Sequence, residues 1–184
     1  MKKRSFIGAC VMLVAIVVAL PLGVHTSLTK LREEAGSSYY YDKTGFAIYQ
    51  GVEEREATAN NLITVANQYT QTNSALAPLI EELDYAVRLT QNSYDDFAEE
   101  ASANQQMGKA AQALYEELKK TELSESDQKY PDQLIAQMES EQDKINRSSY
   151  NEDAREFNAR LDKFPVKLLL PFAGVQPLGT YDYE

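Results

Sequence analysis

The chain has 184 residues, a length typical of one domain, and carries 28 acidic against 18 basic side chains. Three basic residues lie at the extreme N-terminus, so the rest of the chain has 15 basic against 28 acidic residues. A body this acidic repels a phosphate backbone, whose affinity for proteins comes mostly from Lys and Arg. We therefore predict no nucleic-acid partner, and the single cysteine, Cys10, excludes an internal disulfide.

The N-terminal segment has the length and composition of a membrane span. From Phe6 to Val24, 19 residues without a charged or strongly polar side chain follow the basic start. As a helix they extend about 28 Å at ~1.5 Å per residue, which is enough to cross a bilayer. A cleaved signal peptide is the alternative, because it also combines a basic start with an apolar stretch. The long apolar run and the exit "VALPLGVHTS", without a clear small-x-small site, favour an uncleaved signal-anchor helix.

The charges that flank this segment indicate its orientation. Three basic residues precede it in region 1–5, and Lys30 and Arg32 follow the transmembrane region 6–27. The positive-inside tendency favours a cytoplasmic N-terminus and a body outside the cytoplasm. Cys10 lies early in the apolar run, with fourteen apolar residues after it, so we interpret it as a small membrane-facing side chain and not as a lipid-modified cysteine.

A juxtamembrane connector, residues 28–45, follows the span. Leu28 to Glu34 can extend the membrane helix, but Gly36, Gly45 and the "DKTG" turn signal predict an interruption around residues 41–45. The three adjacent tyrosines 39–41 cannot share one helix face. Either some of them lie near the lipid headgroups, where amphipathic rings are favoured, or they cover the end of the body.

The body, residues 46–164, has the apolar spacing of amphipathic helices, with steps of three and four residues. The successive patterns cover residues 46–69, 76–101, 107–118 and 134–164. We therefore predict an all-α fold, in which a transmembrane helix is followed by a four-helix bundle.

The fourth pattern changes phase in its middle. The step from Ile145 to Tyr150 is five residues, and Ser149 with Glu152 has the spacing of a capping box. We therefore predict a break or kink near residues 147–149. The start of this segment has two alternatives, because Ser124 with Asp127 can cap one start while Pro131 suits the first turn of a later one.

Residues 165–184 form an apolar tail that contains three prolines and a glycine. Pro165 removes a backbone N–H and restricts Phe164, so the last bundle helix should end there. The tail is too short to span a membrane. We expect it to fold back over the open end of the bundle, with Leu169 and Phe172 buried against helix ends. The alternatives are that it dips into the membrane interface or docks on a partner.

The residue types that support chemistry are sparse in the body. The only histidine, His25, lies at the membrane edge, so neither a Glu-x-x-His metal pair nor a Ser-His-Asp arrangement can form in the bundle. The densest carboxylate group consists of Asp95, Asp96, Glu99 and Glu100, which we interpret as the solvated face of an amphipathic helix. We predict no catalytic residue, cofactor or metal ion, and no enzymatic activity.

Two stretches of the sequence resemble the LemA family. "YNEDAREFNARLDKFPVKLLLPFAGVQPL" resembles that family's C-terminal signature, and "NNLITVANQY" resembles its other characteristic stretch. The matching positions are Tyr150, Asn151, Ala154, Phe157, Asn158, Leu161, Phe164 and Pro165 in the first, and Asn61, Leu62, Val65 and Tyr69 in the second. The chain departs from the family at "EEREATA", which has Arg55 in place of a basic pair, and at the inserted residues around "SSYYYDKTG".

The resemblance implies a fold and a location more than an activity. It implies an elongated antiparallel helical bundle behind a membrane helix, in a bacterial cell membrane. Two classes of function fit these expectations. One is an envelope interaction or scaffold module that binds a protein partner or a second copy, and the other is a sensor or enzyme that uses carboxylate, tyrosine and asparagine groups in a bundle cavity.

Overall fold

A computed structural model describes residues 2–43, 45–94 and 96–183, without the side chains of residues 2–7, 9, 10 and 14. Within these ranges the chain forms only α-helices, which confirms the predicted fold class. They are α1 (Lys2–Ser37), α2 (Ile48–Asn67), α3 (Leu76–Asn92), α4 (Phe97–Leu118), α5 (Tyr130–Asn146), α6 (Ser149–Leu161) and α7 (Val166–Ala173). The interpretations of the Cys10 side chain and of Asp95 lie outside the described part of the chain.

Helix α1 is 36 residues long and continues past Pro21 without a break. Its exposed large apolar side chains are Val11, Met12, Leu13, Ile16, Val17, Val18, Leu20 and Leu22. The helix is long and apolar enough to cross a membrane. A signal sequence has the same properties. Residues 28–37, which we assigned to the connector, belong to this helix, and the predicted interruption is found between Ser37 and Ile48.

Helices α2 to α5 form the bundle. In this bundle α2 packs against α3 and α5, and α4 packs against the same two helices. The apolar faces of all four meet in a distal core, so called because it lies away from α1. Its fully or almost fully buried members include Ala59, Leu62, Ala66, Leu76, Leu83, Met107, Ala111, Leu114, Leu118 and Met138.

A second, proximal core joins this bundle to α1. It draws on α1, the connector, the adjoining ends of the bundle helices, α6 and the C-terminal tail. Its buried apolar members are Leu28, Tyr39, Ile48, Val52, Ala101, Ile145, Tyr150, Ala154, Phe157, Leu161, Ala173, Val175, Leu178 and Tyr181. Helix α1 contacts both α6 and α7 in this region.

The boundary predicted between the second and third bundle helices is wrong. We placed residues 76–101 in one helix, whereas α3 ends at Asn92 and α4 begins at Phe97. Asp96 is the N-cap, because its Oδ1 accepts the backbone N–H groups of Ala98 and Glu99 at 2.9 and 3.2 Å. The apolar spacing continues across the loop, which concealed the boundary.

The predicted break in the fourth segment is confirmed, but its cap differs. Helix α5 ends at Asn146 and α6 begins at Ser149, with Ser148 as N-cap instead of Ser149. Asp42 of the connector accepts hydrogen bonds from the Ser148 hydroxyl at 2.6 Å and the Ser149 N–H at 2.9 Å. Of the two starts considered for this segment, the later one is found, with Pro131 in the first turn of α5.

The tail folds back as predicted but buries other residues. Helix α6 ends at Leu161, before the expected Pro165, and the eight-residue α7 ends at Gly174, whose φ of 64° is left-handed. Residues 175–183, called here the C-terminal segment, then run back along the body. Phe172 is 75 % exposed and Leu169 is half-buried, so the expected burial of these two side chains is wrong. The side chains that close the proximal core are Val175, Leu178 and Tyr181.

Candidate functional site

A buried carboxylate lies in the proximal core. Glu100 of α4 is fully buried, and its Oε1 accepts a hydrogen bond from the Tyr39 hydroxyl at 2.6 Å. Its Oε2 accepts one from the Tyr181 hydroxyl at 2.7 Å. Tyr39 follows α1 and Tyr181 belongs to the C-terminal segment, so one side chain joins the connector and the C-terminal segment to the bundle. The interpretation of Glu100 as part of a solvated face is therefore wrong.

Aromatic rings surround this carboxylate. The Tyr39 centroid lies 5.6 Å from that of Tyr181, 5.9 Å from that of Tyr150 and 5.0 Å from that of Phe97. The Tyr150 ring also packs against Tyr181, with centroids 5.7 Å apart and planes at 71°. Edge-on and tilted contacts of this kind stabilise aromatic clusters beyond the area they bury. The rings keep water away from Glu100, so its charge is stabilised mainly by the two phenol hydrogen bonds.

Burial controls the proton equilibria of this cluster. It raises the pKa of the Glu100 carboxyl above its usual range, although the two phenol hydrogen bonds act in the opposite direction. Burial and the neighbouring carboxylate raise the pKa values of Tyr39 and Tyr181 well above that of free tyrosine. Both hydroxyls therefore stay protonated at neutral pH and remain available as donors.

A row of side-chain amides on α5 and α6 holds the backbone of the C-terminal segment. Asn158 accepts the N–H of Leu178 at 2.9 Å and donates to its carbonyl at 2.7 Å. Asn151 accepts the N–H of Tyr181 at 2.8 Å, and Gln142 donates to the Tyr181 carbonyl at 2.8 Å. These groups satisfy backbone positions that no regular secondary structure pairs.

A glycine in the C-terminal segment permits its close contact with α4. A Cβ built on Gly179 would lie 2.4 Å from the carbonyl oxygen of Phe97 and 2.6 Å from Cα of Ala98. The Tyr150 hydroxyl donates to the Gly179 carbonyl at 3.0 Å on the other side. The segment is thus held between the start of α4 and the side chains of α6.

A buried arginine continues the polar interior toward the distal core. Arg55 of α2 is 2 % exposed, and its Nη1 donates to the Gln142 side-chain oxygen at 2.6 Å and to both oxygens of Asn104. Gly108 gives the guanidinium room, since a Cβ there would lie 2.6 Å from Nη2. Burial lowers the pKa of Arg55, while the nearby Tyr183 raises it. The guanidinium therefore connects α2, α4 and α5 through neutral amides.

The motif positions of the sequence fall into two separate regions. Tyr150, Asn151 and Asn158 contact the C-terminal segment, and the remaining signature positions on α6, Ala154, Phe157 and Leu161, are buried in the proximal core. Phe164 and Pro165 are exposed, and Phe164 is 85 % exposed. The other four positions lie on or beside α2. Leu62 is buried in the distal core, Asn61 is exposed, Val65 is half-buried and Tyr69 donates to Asp127 at 2.6 Å.

The sequence contains a local signal for the buried polar residues of α2 and α4. The α4 stripe through Met107, Ala111 and Leu114 extends backward in steps of three and four to Asn104, Glu100 and Phe97. On α2, Arg55 follows Val52 by three residues and precedes Ala59 by four, so it has the spacing of the buried apolar face. Polar residues in phase with an apolar stripe are thus the local sign of this interior. The contacts that Tyr39, Tyr181 and Tyr183 make with it come from distant parts of the chain and have no such sign.

Within the described residues, no group of three or more His, Cys, Asp and Glu side chains is placed to hold a metal ion. Comparisons with protein-family models, with curated proteins and with solved structures found no match to this chain.

Proposed function

We propose that this chain is a membrane-anchored helical module that presents its bundle to a protein partner or to a second copy of itself. The observation that carries the proposal is the continuity of α1. Its apolar part leads without a break into Leu28, which is buried in the proximal core, while Val24 and Leu31 pack against that core. A body fixed in this way to a span cannot rotate freely about a linker, so the bundle surface has a defined direction.

The resemblance to the LemA family supports this proposal. The signature positions Tyr150, Asn151 and Asn158 hold the C-terminal segment against the body. A shared fold requires that the signature positions have a structural role, and these three contacts give them one. By the same resemblance we propose a bacterial cell membrane as the location, with a cytoplasmic N-terminus and the body outside, as the flanking charges favour.

Photo-crosslinking in intact cells tests the interaction role. A photoreactive side chain placed at Tyr85 or Tyr130, which are 60 % and 40 % exposed, reports on two separate surfaces of the body. We expect one of them to give a discrete crosslinked product with another membrane-envelope protein or with a second copy. The matched control carries the same group at the buried Leu83, which should give no intermolecular product. Absence of a discrete product from several exposed positions would contradict a scaffold role.

A ligand-binding sensor is the second candidate, and the buried Glu100 is the observation that favours it. Its two oxygens are occupied by Tyr39 and Tyr181, so a ligand would have to displace the C-terminal segment to reach it. Native mass spectrometry of the full chain extracted in detergent distinguishes the two candidates. A small molecule that remains bound to the native chain and is lost in Glu100→Leu would favour the sensor.

A further inference from the structure

Helix α7 exposes large apolar side chains to the surroundings of the protein. Leu168 is 67 % exposed and Phe172 is 75 % exposed, and their spacing of four residues places them on the same face. Phe164, just before the helix, is 85 % exposed. A cluster of this kind at the surface of a soluble body marks a contact with a partner or a membrane.

The position of α7 beside α1 indicates which contact this is. The Nδ1 of His25 donates to the carbonyl of Ala173 at 2.6 Å, so the end of α7 lies at the end of the predicted span. Val166, at its beginning, shares a cleft with Ala19 and Leu20 of α1. The exposed face of α7 therefore continues the exposed apolar surface of α1. The large apolar side chains of that surface are more than half exposed, namely Val11, Met12, Leu13, Ile16, Val17, Val18, Leu20 and Leu22.

Basic side chains surround this corner of an otherwise acidic molecule. Arg160 and Lys163 line the cleft of about 560 Å³ between α1 and the α6–α7 junction, whose other walls are mainly apolar. Lys167 is exposed and pairs with Asp162 at 2.9 Å. Arg160 also borders a neighbouring pocket that Glu34, Asp153 and Glu156 line, so the excess of positive charge is that of the cleft, which has no acidic side chain in its walls. The whole chain has a net charge of −10, so this local reversal favours an anionic surface.

We propose that α7 is a second, non-spanning membrane contact that lies in the interface of the same bilayer that α1 crosses. Leu168 and Phe172 enter the boundary between headgroups and acyl chains, as on interfacial amphipathic helices. Arg160 and Lys163 extend to the phosphates of anionic phospholipids, with their aliphatic stems along the apolar cleft. This inference rests on the membrane-anchored function proposed above and assigns the lipid surface that the body itself contacts.

Single tryptophans test the proposal in the full chain, because the sequence contains no tryptophan. The variants Phe172→Trp, Val17→Trp and Tyr85→Trp are reconstituted into vesicles of phosphatidylcholine and phosphatidylglycerol with bromine at different acyl depths. We expect Phe172→Trp to be quenched most by shallow bromines and several-fold more than Tyr85→Trp on the exposed face of α3. We expect Val17→Trp to be quenched most by deep bromines.

The three probes separate the two proposals. If Val17→Trp is quenched by deep bromines and Phe172→Trp no more than Tyr85→Trp, the anchor stands and the α7 contact is wrong. Absence of quenching at Val17→Trp overturns the anchor itself. A blue-shifted but unquenched Phe172→Trp means that a protein partner or a second copy covers α7, which also overturns the lipid contact.

A separate experiment tests whether α7 prefers anionic lipid. The shallow quenching of Phe172→Trp should increase when phosphatidylglycerol replaces part of the phosphatidylcholine. Adding Arg160→Gln and Lys163→Gln in the Phe172→Trp background should remove that increase. The control Lys109→Gln, at an exposed position on α4, should retain it. Equal quenching in both kinds of vesicle would show that the headgroup charge is not recognised.

Discussion

The two cores of this protein are built in different ways. The distal core is apolar and is formed by four helices that follow one another along the chain. The proximal core combines segments as distant as Tyr39 and Tyr181, and it includes the fully buried carboxylate of Glu100. Local amphipathic patterns are therefore sufficient to specify the distal core, whereas the proximal core depends on contacts between segments that lie far apart in the chain.

Deletion of a large apolar side chain should destabilise either core strongly. We expect Phe157→Ala to reduce the free energy of unfolding by ~3–5 kcal/mol and Leu83→Ala by ~2–5 kcal/mol, since both leave cavities at almost fully buried positions. Chemical unfolding of the full chain in detergent, followed by circular dichroism, measures both. The exposed neighbours Glu156→Ala and Glu82→Ala should stay within about 0.5 kcal/mol. A small effect of Phe157→Ala would mean that the proximal core is not a packed core.

Removal of one amide should loosen the C-terminal segment. Asn151→Ala leaves the backbone N–H of Tyr181 and the carbonyl of Ile145 without their side-chain partner in a buried site, at a cost of ~1–3 kcal/mol. Hydrogen exchange of the full chain should show the largest increase in residues 178–183. Asn61→Ala, at the exposed motif asparagine, is the control and should leave exchange unchanged. Equal effects of both substitutions would contradict the role assigned to the amide row.

The pH dependence of stability should depend on Glu100. Burial raises the pKa of Glu100 in the folded state above the ordinary value of 4.5, which applies to the unfolded state. Between the unfolded-state pKa and the folded-state pKa, the folded state therefore binds more protons than the unfolded state. Folding stability due to this group therefore falls as the pH rises through that window. The glutamine in Glu100→Gln does not ionise. The unfolding midpoint of this variant, relative to that of the native chain, should therefore increase as the pH rises from about 4.5.

The control for this measurement is Glu99→Gln at the exposed neighbouring position. Its midpoints should follow those of the native chain across the series. Burial also raises the pKa of Glu56, and the Glu100 charge raises it further. Glu100→Gln removes this second contribution as well, which acts in the same direction as the loss of the Glu100 titration. Parallel curves for Glu100→Gln and the native chain would show that the carboxyl titrates normally.

The smallest effect is expected at the part of the tail that we wrongly predicted to be buried. Because Phe172 is 75 % exposed, Phe172→Ala should change the unfolding free energy in detergent by less than about 0.5 kcal/mol. Leu178→Ala, at a buried position only six residues later, should cost ~2–5 kcal/mol under the same conditions. A large effect at Phe172 would mean that its side chain is buried in the folded chain, contrary to its exposure in the structure.

The sequence predicted those features that depend on neighbouring residues. The all-α class follows from apolar spacing, and the α5–α6 break near residue 147 follows from the change of phase. The cap of α6 was misplaced by one residue because Asp42, more than one hundred positions earlier, binds Ser148 and Ser149. The role of Glu100 was missed for a similar reason, since its partners Tyr39 and Tyr181 lie far away in the chain.

The C-terminal segment is synthesised last, so the proximal core is completed later than the distal core. A ribosome adds ~5–20 residues per second from the N-terminus, and domains can begin to fold while the chain is still growing. The distal core has all its members once Met138 has emerged, but the proximal core requires Tyr181. During this interval Tyr39 and Glu100 still lack Tyr181. Nascent chains stalled before residue 175 should therefore be the forms most open to proteases and chaperones.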